Sequence, residues 1–593
     1  MLAQAVRLHQ AGRLAEAASL LRQLLAIESK QIEALNLLGA ISILQGDLAE
    51  AMRLLNRSLR LQPSQPHALN YLGYARHRAG EYEGALAAYN RAIAMKPDFA
   101  EAYCNRGLTL RQLSRVDDAL ASYDRAIMLS PALAHAHYHR AVVLHDLDRL
   151  AEAVAGYEKT VDLEPRYVEA HNDLATALLE LGRFEEALRC VDRALAINPG
   201  LFGALVNRGN ILNQLQRFDQ ALETYGRALA INPKSAQVYS NRGHLLHDAG
   251  RYQEALENYD QALRLEPDLA LVQWNKGLIK LLSGQFEEGW PLYESRWQSY
   301  ASQARRDFPQ PLWLGHAPLH GKTILLHAEQ GFGDTIQFCR YLPAVRSLGA
   351  QIVLEAPAEL LPLLRSLPGE FVTVAAGADL PQFDCHCPLL SLPLALGTTV
   401  ETIPGEVPYL GVDPLKRDEW SKRLGPKLRP RVGLAWAGSA RHLIDRERSV
   451  PLDRLVPLLR LNCEFHSLQK ELRTEDRTLL DGLTDVRLHD GALQDFGDTA
   501  ALVEAMDLVI SVDTAIAHVA GALARRVWLM LPHAPDFRWM LERRDSPWYP
   551  TAVLFRQTSR GGWDGVIEEI VRQLNLELPS APVAELVAPG VVA

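Results

Sequence analysis

Proline falls at positions 63, 97, 131, 165, 199, 233 and 267, a constant step of 34 residues. Alanine keeps the same step at 17, 51, 85, 119, 153, 187, 221 and 255. A small residue keeps it too, at Gly39, Gly73, Gly107, Ala141, Ala175, Gly209, Gly243 and Gly277. In most units a tyrosine follows the alanine by four residues, at Tyr89, Tyr123, Tyr157, Tyr225 and Tyr259. A register held this long excludes a single globular core for this half: each unit buries its apolar face on the next. Within a unit, apolar residues recur at three- and four-residue steps, the period of two amphipathic helices. The small residues let the two helices approach. The aromatic fills space between neighbouring pairs, and the proline marks where the second helix ends.

This pattern resembles the tetratricopeptide repeat over about residues 1–300, with about eight units and a partial one at each end. The resemblance implies an all-α superhelix with a long concave groove. Composition bounds the rest. Across 593 residues, 48% are hydrophobic and 22% charged, which excludes a disordered chain. The net charge of −9 argues against nucleic acid as a partner. Six cysteines are too few for a disulfide framework and suit a reducing compartment. The N-terminus has no basic segment followed by an unbroken apolar run, so no signal peptide is expected. The most apolar stretch, 507–532, is interrupted by Asp507, Asp513, His518, Arg525 and Arg526, so no membrane span is expected. These readings predict a cytoplasmic protein.

After residue 300 the grammar changes. A linker at 301–317, rich in Pro and Gly, leads into apolar runs alternating with helical stretches. KTILLHAEQ, AQIVLEA, FVTVAA, RVGLAWAG, CEFHSLQ, VRLHD, DLVISVD and RVWLML read as buried strands. Such runs suit parallel sheets covered on both faces. The expected layout is an α/β lobe at 318–412, a charged inter-lobe linker at 413–429 and a second lobe at 430–577, followed by a disordered tail at 578–593.

Three segments can carry chemistry. Gly331, Gly333 and Asp334 follow the first strand and open a helix. The glycines permit a tight turn, the helix N-terminus offers N–H groups to an anion, and the carboxylate is a candidate general base. Alternatively, Asp334 caps the helix. Asp513, Thr514, Ala515 and His518 follow DLVISV and lead into another helix, a plausible phosphate seat. The bland reading makes His518 a satisfied histidine on an inner helix face. Arg441, Arg446, Arg448 and Ser449 follow RVGLAWAGS and could clamp a phosphate or a sugar carboxylate, or could be a solvated loop. Cys385-His386-Cys387 lacks partners at metal-ligand spacing and reads as incidental thiols. Asp146-Leu147-Asp148 reads as a solvated helix end.

GFGDTIQFCRYLP at 331–343 and DLVISVDTAIAHVAGAL at 507–523 resemble the heptosyltransferase-like glycosyltransferases. Gly333, Asp334 and Pro343 match the first element of that family. Asp513, Thr514, His518, Ala520, Ala522 and Leu523 match the second. The resemblance implies a GT-B core of two Rossmann-like lobes and an inverting transfer with no metal or other cofactor. Asp334 matches its base, and Thr514, Ala515 and His518 match its donor-phosphate region. The short first lobe, with Asp536–Trp539 and Asp545–Pro550, looks like the bacterial tetratricopeptide-repeat glycosyltransferases, among them flagellin-modifying enzymes. The layout is similar to that of O-GlcNAc transferase.

One repeat position adds a partner. Two residues before each small residue stand Leu37, Tyr71, Asn105, His139, Asp173, Asn207, Asn241 and Asn275. A fixed repeat position lines one stripe, and an asparagine can pair with any extended peptide backbone. O-GlcNAc transferase is similar in holding acceptor polypeptide on an asparagine ladder. The alternative is that Asn-Arg-Gly suits a packing corner. The leading expectation is therefore a protein O-glycosyltransferase. It would take a UDP-, GDP-, ADP- or CMP-sugar and an acceptor protein such as flagellin. The competing readings are an adaptor with a non-catalytic half and an enzyme acting on a glycan or lipid acceptor. The open ends and convex face of a solenoid also offer surfaces for self-association.

Overall fold

The computed structural model describes residues 1–299, 306–438, 445–480, 482 and 486–577. The tail expected after 577 lies outside them, as do Arg441 and the first part of the linker. The chain divides into two compact units, Met1–Lys234 and Ser235–Ala593.

The first unit is helical throughout its elements. Seven antiparallel pairs run from Leu2–Gln10 with Leu14–Ile27 to Phe202–Gln214 with Phe218–Ile231. The second helix of each repeating unit stops two residues before the periodic proline: Leu61 before Pro63, Met95 before Pro97, Leu129 before Pro131. The periodic alanines Ala17, Ala51, Ala85, Ala119, Ala153, Ala187 and Ala221 are all fully buried. A Cβ placed on Gly73 or Gly107 would lie 2.6 Å from the ring of Tyr89 or Tyr123 in the same pair. The tyrosine thus sits on the glycine of its own unit, so small residue and aromatic are two halves of one contact. An added methyl there would overpack the pair.

The second unit begins with two more pairs, Ala236–Asp248 with Tyr252–Leu265 and Ala270–Leu282 with Phe286–Tyr293. It continues as α/β structure. Strands β1 (Thr323–His327), β2 (Gln351–Ala356), β3 (Val372–Ala375) and β4 (Cys385–Pro388) form a parallel sheet in the order β3-β2-β1-β4. Strands β5 (Arg431–Ala435), β6 (Glu464–Ser467), β7 (Val486–Arg487), β8 (Leu508–Val512), β9 (Val527–Leu531) and β10 (Ala552–Arg556) form a second, in the order β10-β9-β8-β5-β6-β7. Every pairing in it is parallel.

The second order is the doubly wound one, in which strand order reverses between the first and fourth strands of the sheet. That point lies between β5 and β8. In the first sheet it lies between β1 and β4. Ligands in such folds bind outside the carboxyl ends of the strands at these points.

Eight strands lie where the apolar runs predict them. β4 and β10 were not read from sequence. β4 is the four-residue CHCP, whose cysteines, histidine and proline carry little strand signal, and β10 is a short run behind a Pro-rich turn. The charged stretch 413–429 contains a helix, Pro414–Leu424. Asp413 caps it by accepting the Leu415 N–H at 2.8 Å, proline stands at its first position, and Gly425 ends it at φ 69°.

The faces of the second sheet are both covered. Along β9, Val527, Leu529 and Leu531 point into one apolar cluster and Trp528 and Met530 into another. The first cluster also takes in the first sheet and Leu281, Phe286, Trp290 and Tyr293 of the last helical pair. Aromatic contacts continue it: Trp290 lies edge-on to Phe537 at 5.7 Å, and Phe286 stacks on Trp548 at 6.3 Å. The last pair therefore shares a core with the α/β structure.

Candidate functional site

β1 ends at His327, and the chain turns through Gly331 into the helix Phe332–Phe338. Asp334 is the third residue of that helix. Its Oδ2 accepts the Gly331 N–H at 2.8 Å, the reciprocal half of a capping box whose other half a glycine cannot make. The N-cap itself is Gly331, and Asp334 satisfies its N–H from the third helical position. Its other oxygen, Oδ1, is ion-paired with Arg538. Gly331 is exposed. Gly333 has a packing role. A Cβ there would lie 2.7 Å from Cδ2 of His518, so only glycine lets the two motif helices touch. Phe332 packs on Phe496 of a separate helix, Phe496–Glu504, with ring centroids 5.1 Å apart. The first predicted segment is therefore seated directly on the second.

β8 delivers Asp513 and Thr514 at the reversal point of its sheet. Thr514 is the N-cap of helix Ala515–Ala522 and makes no side-chain cap bond; its Oγ1 lies 3.3 Å from Ser511 Oγ. Thr514 and Ala515 are half-buried beside the helix N-terminus. His518 lies on the inner face of that helix. It is buried, its Nδ1 hydrogen-bonds with the Tyr549 hydroxyl at 2.9 Å, and it stacks on Trp539 at 5.6 Å. Burial, with Arg538 and Arg340 nearby, pushes its pKa well below the ordinary value. Its other ring nitrogen, Nε2, lies 3.8 Å from Asp513 Oδ1, so the ring sits between Tyr549 and the carboxylate at the end of β8.

The third segment follows β5. Arg441 lies outside the described residues. Arg446 is described only as backbone of the short helix Asp445–Arg448, its side chain lying outside them. Arg448 donates from Nη1 to the Asp513 carbonyl at 3.2 Å and from Nε to Asp445 at 3.4 Å. This bond ties the loop after β5 to the loop after β8. Ser449 is buried and donates to Asp445 Oδ1 at 3.1 Å while accepting the Gly438 N–H at 3.3 Å, so it shapes the loop. Asp445 is also paired with Arg473, and Gln469 Oε1 accepts the N–H groups of Trp436 and Ala437 at 2.9 and 3.0 Å. Arg473 and Gln469 were not read from sequence, because only the fold brings them to this loop.

Arg538 is the largest omission. It sits on the turn Phe537–Trp539 after β9 and is enclosed by Phe338 and Phe537. Besides Asp334, it pairs with Asp536 at 2.7 Å. Burial works against its charge, but Asp536 and Asp334 outweigh it and raise its pKa. The signal in sequence was a cation beside an acid in Asp536-Phe537-Arg538-Trp539. Arg340 is a second buried cation. It donates to the Trp548 carbonyl at 2.6 Å and the Tyr409 hydroxyl at 3.0 Å, and so braces the first lobe against the Trp548-Tyr549 segment.

Asp513 is unusual in its charge. Burial first, then Asp536, pushes its carboxyl up to about 6, against the pull of Arg538 and Arg448. The folded state thus binds this proton more tightly than the unfolded chain does. Stability from this group is full below pH about 4 and is lost as pH rises towards 6. Asp513→Asn carries no such loss. It is expected to be more stable than wild type by about 3 kcal/mol at pH 7.5 and by only about 1 kcal/mol at pH 4.5. Denaturant titrations at the two pH values check this; an equal difference at both would remove the assigned cause.

The repeat stripe is engaged within the array. Asn105 Nδ2 donates to Asn70 Oδ1 at 3.1 Å, and Asn207 Nδ2 donates to Asn172 Oδ1 and Thr176 Oγ1, both at 3.0 Å. Asp173 accepts from the Tyr138 hydroxyl at 2.8 Å. Each bond joins a stripe residue to the helix one unit earlier. Asn105, Asp173, Asn207, Asn241 and Asn275 are each half-buried, so part of each remains accessible. Asn241 has a partner of its own, and Asn275 faces the Tyr259 hydroxyl.

Cys385, His386 and Cys387 form β4 itself, so strand alternation sends His386 to the face opposite the cysteines. His386 Nδ1 lies 3.2 Å from His327 Nε2. The three cannot share an ion. A set the sequence reading did not consider is His244, His247 and Asp248, whose ligand atoms lie within 4.8 Å of one another. Arg560 also acts on Asp248.

No helix among the described residues is long and apolar enough to cross a membrane. A TPR-repeat family model matches residues 75–114 and 209–250. Two tetratricopeptide-repeat models match residues 100–132 and 236–269, and residues 8–72 and 144–208. The N-terminal region is thus built of tetratricopeptide repeats. Protein FlbA of Caulobacter vibrioides is 28% identical over 315 residues, covering 48% of this chain and 52% of that protein. The chain therefore spans about half the length of the curated relative it matches. Among solved structures, the TPR protein YrrB is 26% identical with a TM-score of 0.30, covering 32% of this chain and 96% of that one. Pseudomonas aeruginosa PilF is 18% identical with a TM-score of 0.34, covering 37% and 97%.

Proposed function

We propose that the chain is a protein O-glycosyltransferase, using a nucleotide sugar and an acceptor protein bound along the repeats. The observation that carries this reading is convergence. Segments after β1, β5 and β8, far apart in sequence, meet at the carboxyl ends of strands where both sheets reverse order. That is where doubly wound folds bind nucleotides. The N-terminus of helix Ala515–Ala522, with no side-chain cap, is the seat for the donor phosphate.

In the transfer, the acceptor hydroxyl oxygen bonds to the anomeric carbon. The bond from that carbon to the phosphate oxygen breaks, and its electron pair leaves with the nucleotide. Asp334 takes the hydroxyl proton. Arg448 and the helix N-terminus stabilise the charge gathering on the phosphate. The donor is a UDP-, GDP-, ADP- or CMP-sugar. The likeness to flagellin-modifying enzymes makes flagellin the first acceptor to try. The half-buried polar stripe supports a peptide-gripping role for the repeats.

Intact-mass spectrometry of host proteins with and without the gene tests the reading. A mass increment of one or more sugars, lost on deletion and restored by the wild-type gene, is expected. Altered surface glycan with no protein shift would replace the acceptor with a glycan. A second reading, an adaptor that binds nucleotide sugar without turnover, is favoured by one observation: Asp334 is engaged by Arg538. Donor consumption in the presence of acceptor separates the two.

A further inference from the structure

Arg538 lies among three carboxylates. Asp334 holds Nη2, Asp536 holds Nη1 at 2.7 Å, and Asp513 faces it without a direct bond. Its Nε is buried with no hydrogen-bond partner. The planar guanidinium carries five N–H groups, so it can release one carboxylate while keeping another. Asp334 is next to Gly333, which lies against Ala515 and His518 of the helix whose N-terminus is the phosphate seat. Arg538 therefore holds the expected base and also faces Asp513, the residue before the Thr514 N-cap of that seat. Asp513 and Asp536 make that place unfavourable for an anion unless a cation turns towards it.

We infer that Arg538 is a phosphate-binding residue that exchanges partners: a donor phosphate at the N-terminus of helix Ala515–Ala522 takes its Nη2 in place of Asp334. The inference rests on the glycosyltransferase reading above. Its consequence is ordered catalysis. While its Oδ1 is occupied by Arg538, and its Oδ2 by the Gly331 N–H, Asp334 has neither oxygen turned to an acceptor hydroxyl. Asp334 is released only when the phosphate has taken the cation, so the base becomes competent when a donor is present. No atom is transferred in the exchange itself; it swaps one ion pair for another.

The exchange makes Asp334 and the phosphate competitors for one cation, which a binding cycle measures without any acceptor. UDP, GDP, ADP and CMP are titrated into the full-length protein by calorimetry. The nucleotide that binds wild type is then titrated into Asp334→Asn, Arg538→Gln and the double variant. Asp334→Asn is expected to bind it about 5- to 30-fold more tightly, since Arg538 is then free for the phosphate. Arg538→Gln is expected to bind about 10- to 100-fold more weakly. Adding Asp334→Asn to Arg538→Gln is expected to change affinity less than about twofold.

If Asp334→Asn tightens binding equally in both backgrounds, its effect is charge repulsion and the exchange is wrong. If it tightens neither, the exchange is also wrong. Arg538→Gln alone leaves three carboxylates without this cation and can fail to fold. The double variant, which neutralises both partners, then decides: the exchange predicts binding no tighter than wild type, and tighter binding overturns it. Wild type that binds none of the four nucleotides would overturn the donor reading itself. Nucleotide binding without the Asp334→Asn gain would overturn the exchange alone.

Discussion

Replacing Asp334 by asparagine is expected to lower transfer to the acceptor protein about 10²- to 10⁴-fold, as loss of a positioned base does. That corresponds to roughly 3–5 kcal/mol of transition-state stabilisation. With donor saturating and acceptor varied, the drop should fall on kcat and kcat/KM alike, because the proton moves only in the transition state. Asparagine is the appropriate replacement. It can still accept the Gly331 N–H and keep the helix start, while Arg538 keeps Asp536 as its partner. Alanine would remove both the cap and the base, mixing about 1 kcal/mol of helix stability into the result. The measurement is initial rate against acceptor protein, with thermal unfolding as the fold control. Wild-type-like rates in a folded Asp334→Asn protein would remove Asp334 from the base role and leave only its capping role.

The two halves of the chain were not equally readable. The repeats were legible because their packing is local. Gly73 and Tyr89 touch within one unit, and a 34-residue period repeats that contact until it is unmistakable. The apolar runs also announced eight strands, because a strand buried on both faces needs no polar alternation. β4 escaped because a four-residue strand of Cys, His, Cys and Pro can be held in place by its neighbours alone. β1 on one side and Trp313, which donates to the His386 carbonyl at 2.8 Å, do so here.

At the site, the three segments were visible because glycines, small residues and clustered arginines at strand ends are local signals. What they do to one another was not. Arg538 reaches Asp334 from 204 positions away, and no spacing encodes such a pair. The neighbours of His518, Trp539 and Tyr549, lie 21 and 31 positions away and come to it only through the fold. The stripe of asparagines was visible as a period, but its bonds to the preceding unit come from superhelical stacking. One residue type therefore serves both cohesion and exposure.

The core shared by the last helical pair and the α/β structure is held polar-side by Arg296, which has no exposed surface. Its Nη1 donates to Glu294 at 2.6 Å, its Nη2 donates to Glu329 at 3.1 Å and to Ser391 at 2.8 Å, and its plane lies over Tyr293 and Trp297. Glu329 follows β1 directly and also accepts the Leu390 N–H at 3.1 Å. Removing the cation would leave Glu329 and Glu294 without it in a low-dielectric place. Breaking a buried pair from one side costs about 3–5 kcal/mol, more than most single substitutions. Arg296→Met, which keeps the apolar stem, is expected to show that loss at pH 7.5.

The loss should depend on pH with a definite sign. Burial, only partly countered by Arg296, pushes Glu329 up to about 7. At pH 5 Glu329 is protonated in wild type and variant alike, whereas above pH 7 only the wild type has the arginine that stabilises its charged form. The gap between Arg296→Met and wild type should therefore narrow as pH falls from 7.5 to 5. Arg296→Met with Glu329→Gln should regain much of the stability at pH 7.5, since replacing both partners leaves no bare charge. Unfolding curves of wild type, the single variant and the double variant at both pH values decide it. A single variant as stable as wild type at pH 7.5 would show that the last helical pair is held by its aromatic contacts alone. A loss that the double variant does not relieve would point to the lost packing over Tyr293 and Trp297, not to the stranded carboxylate.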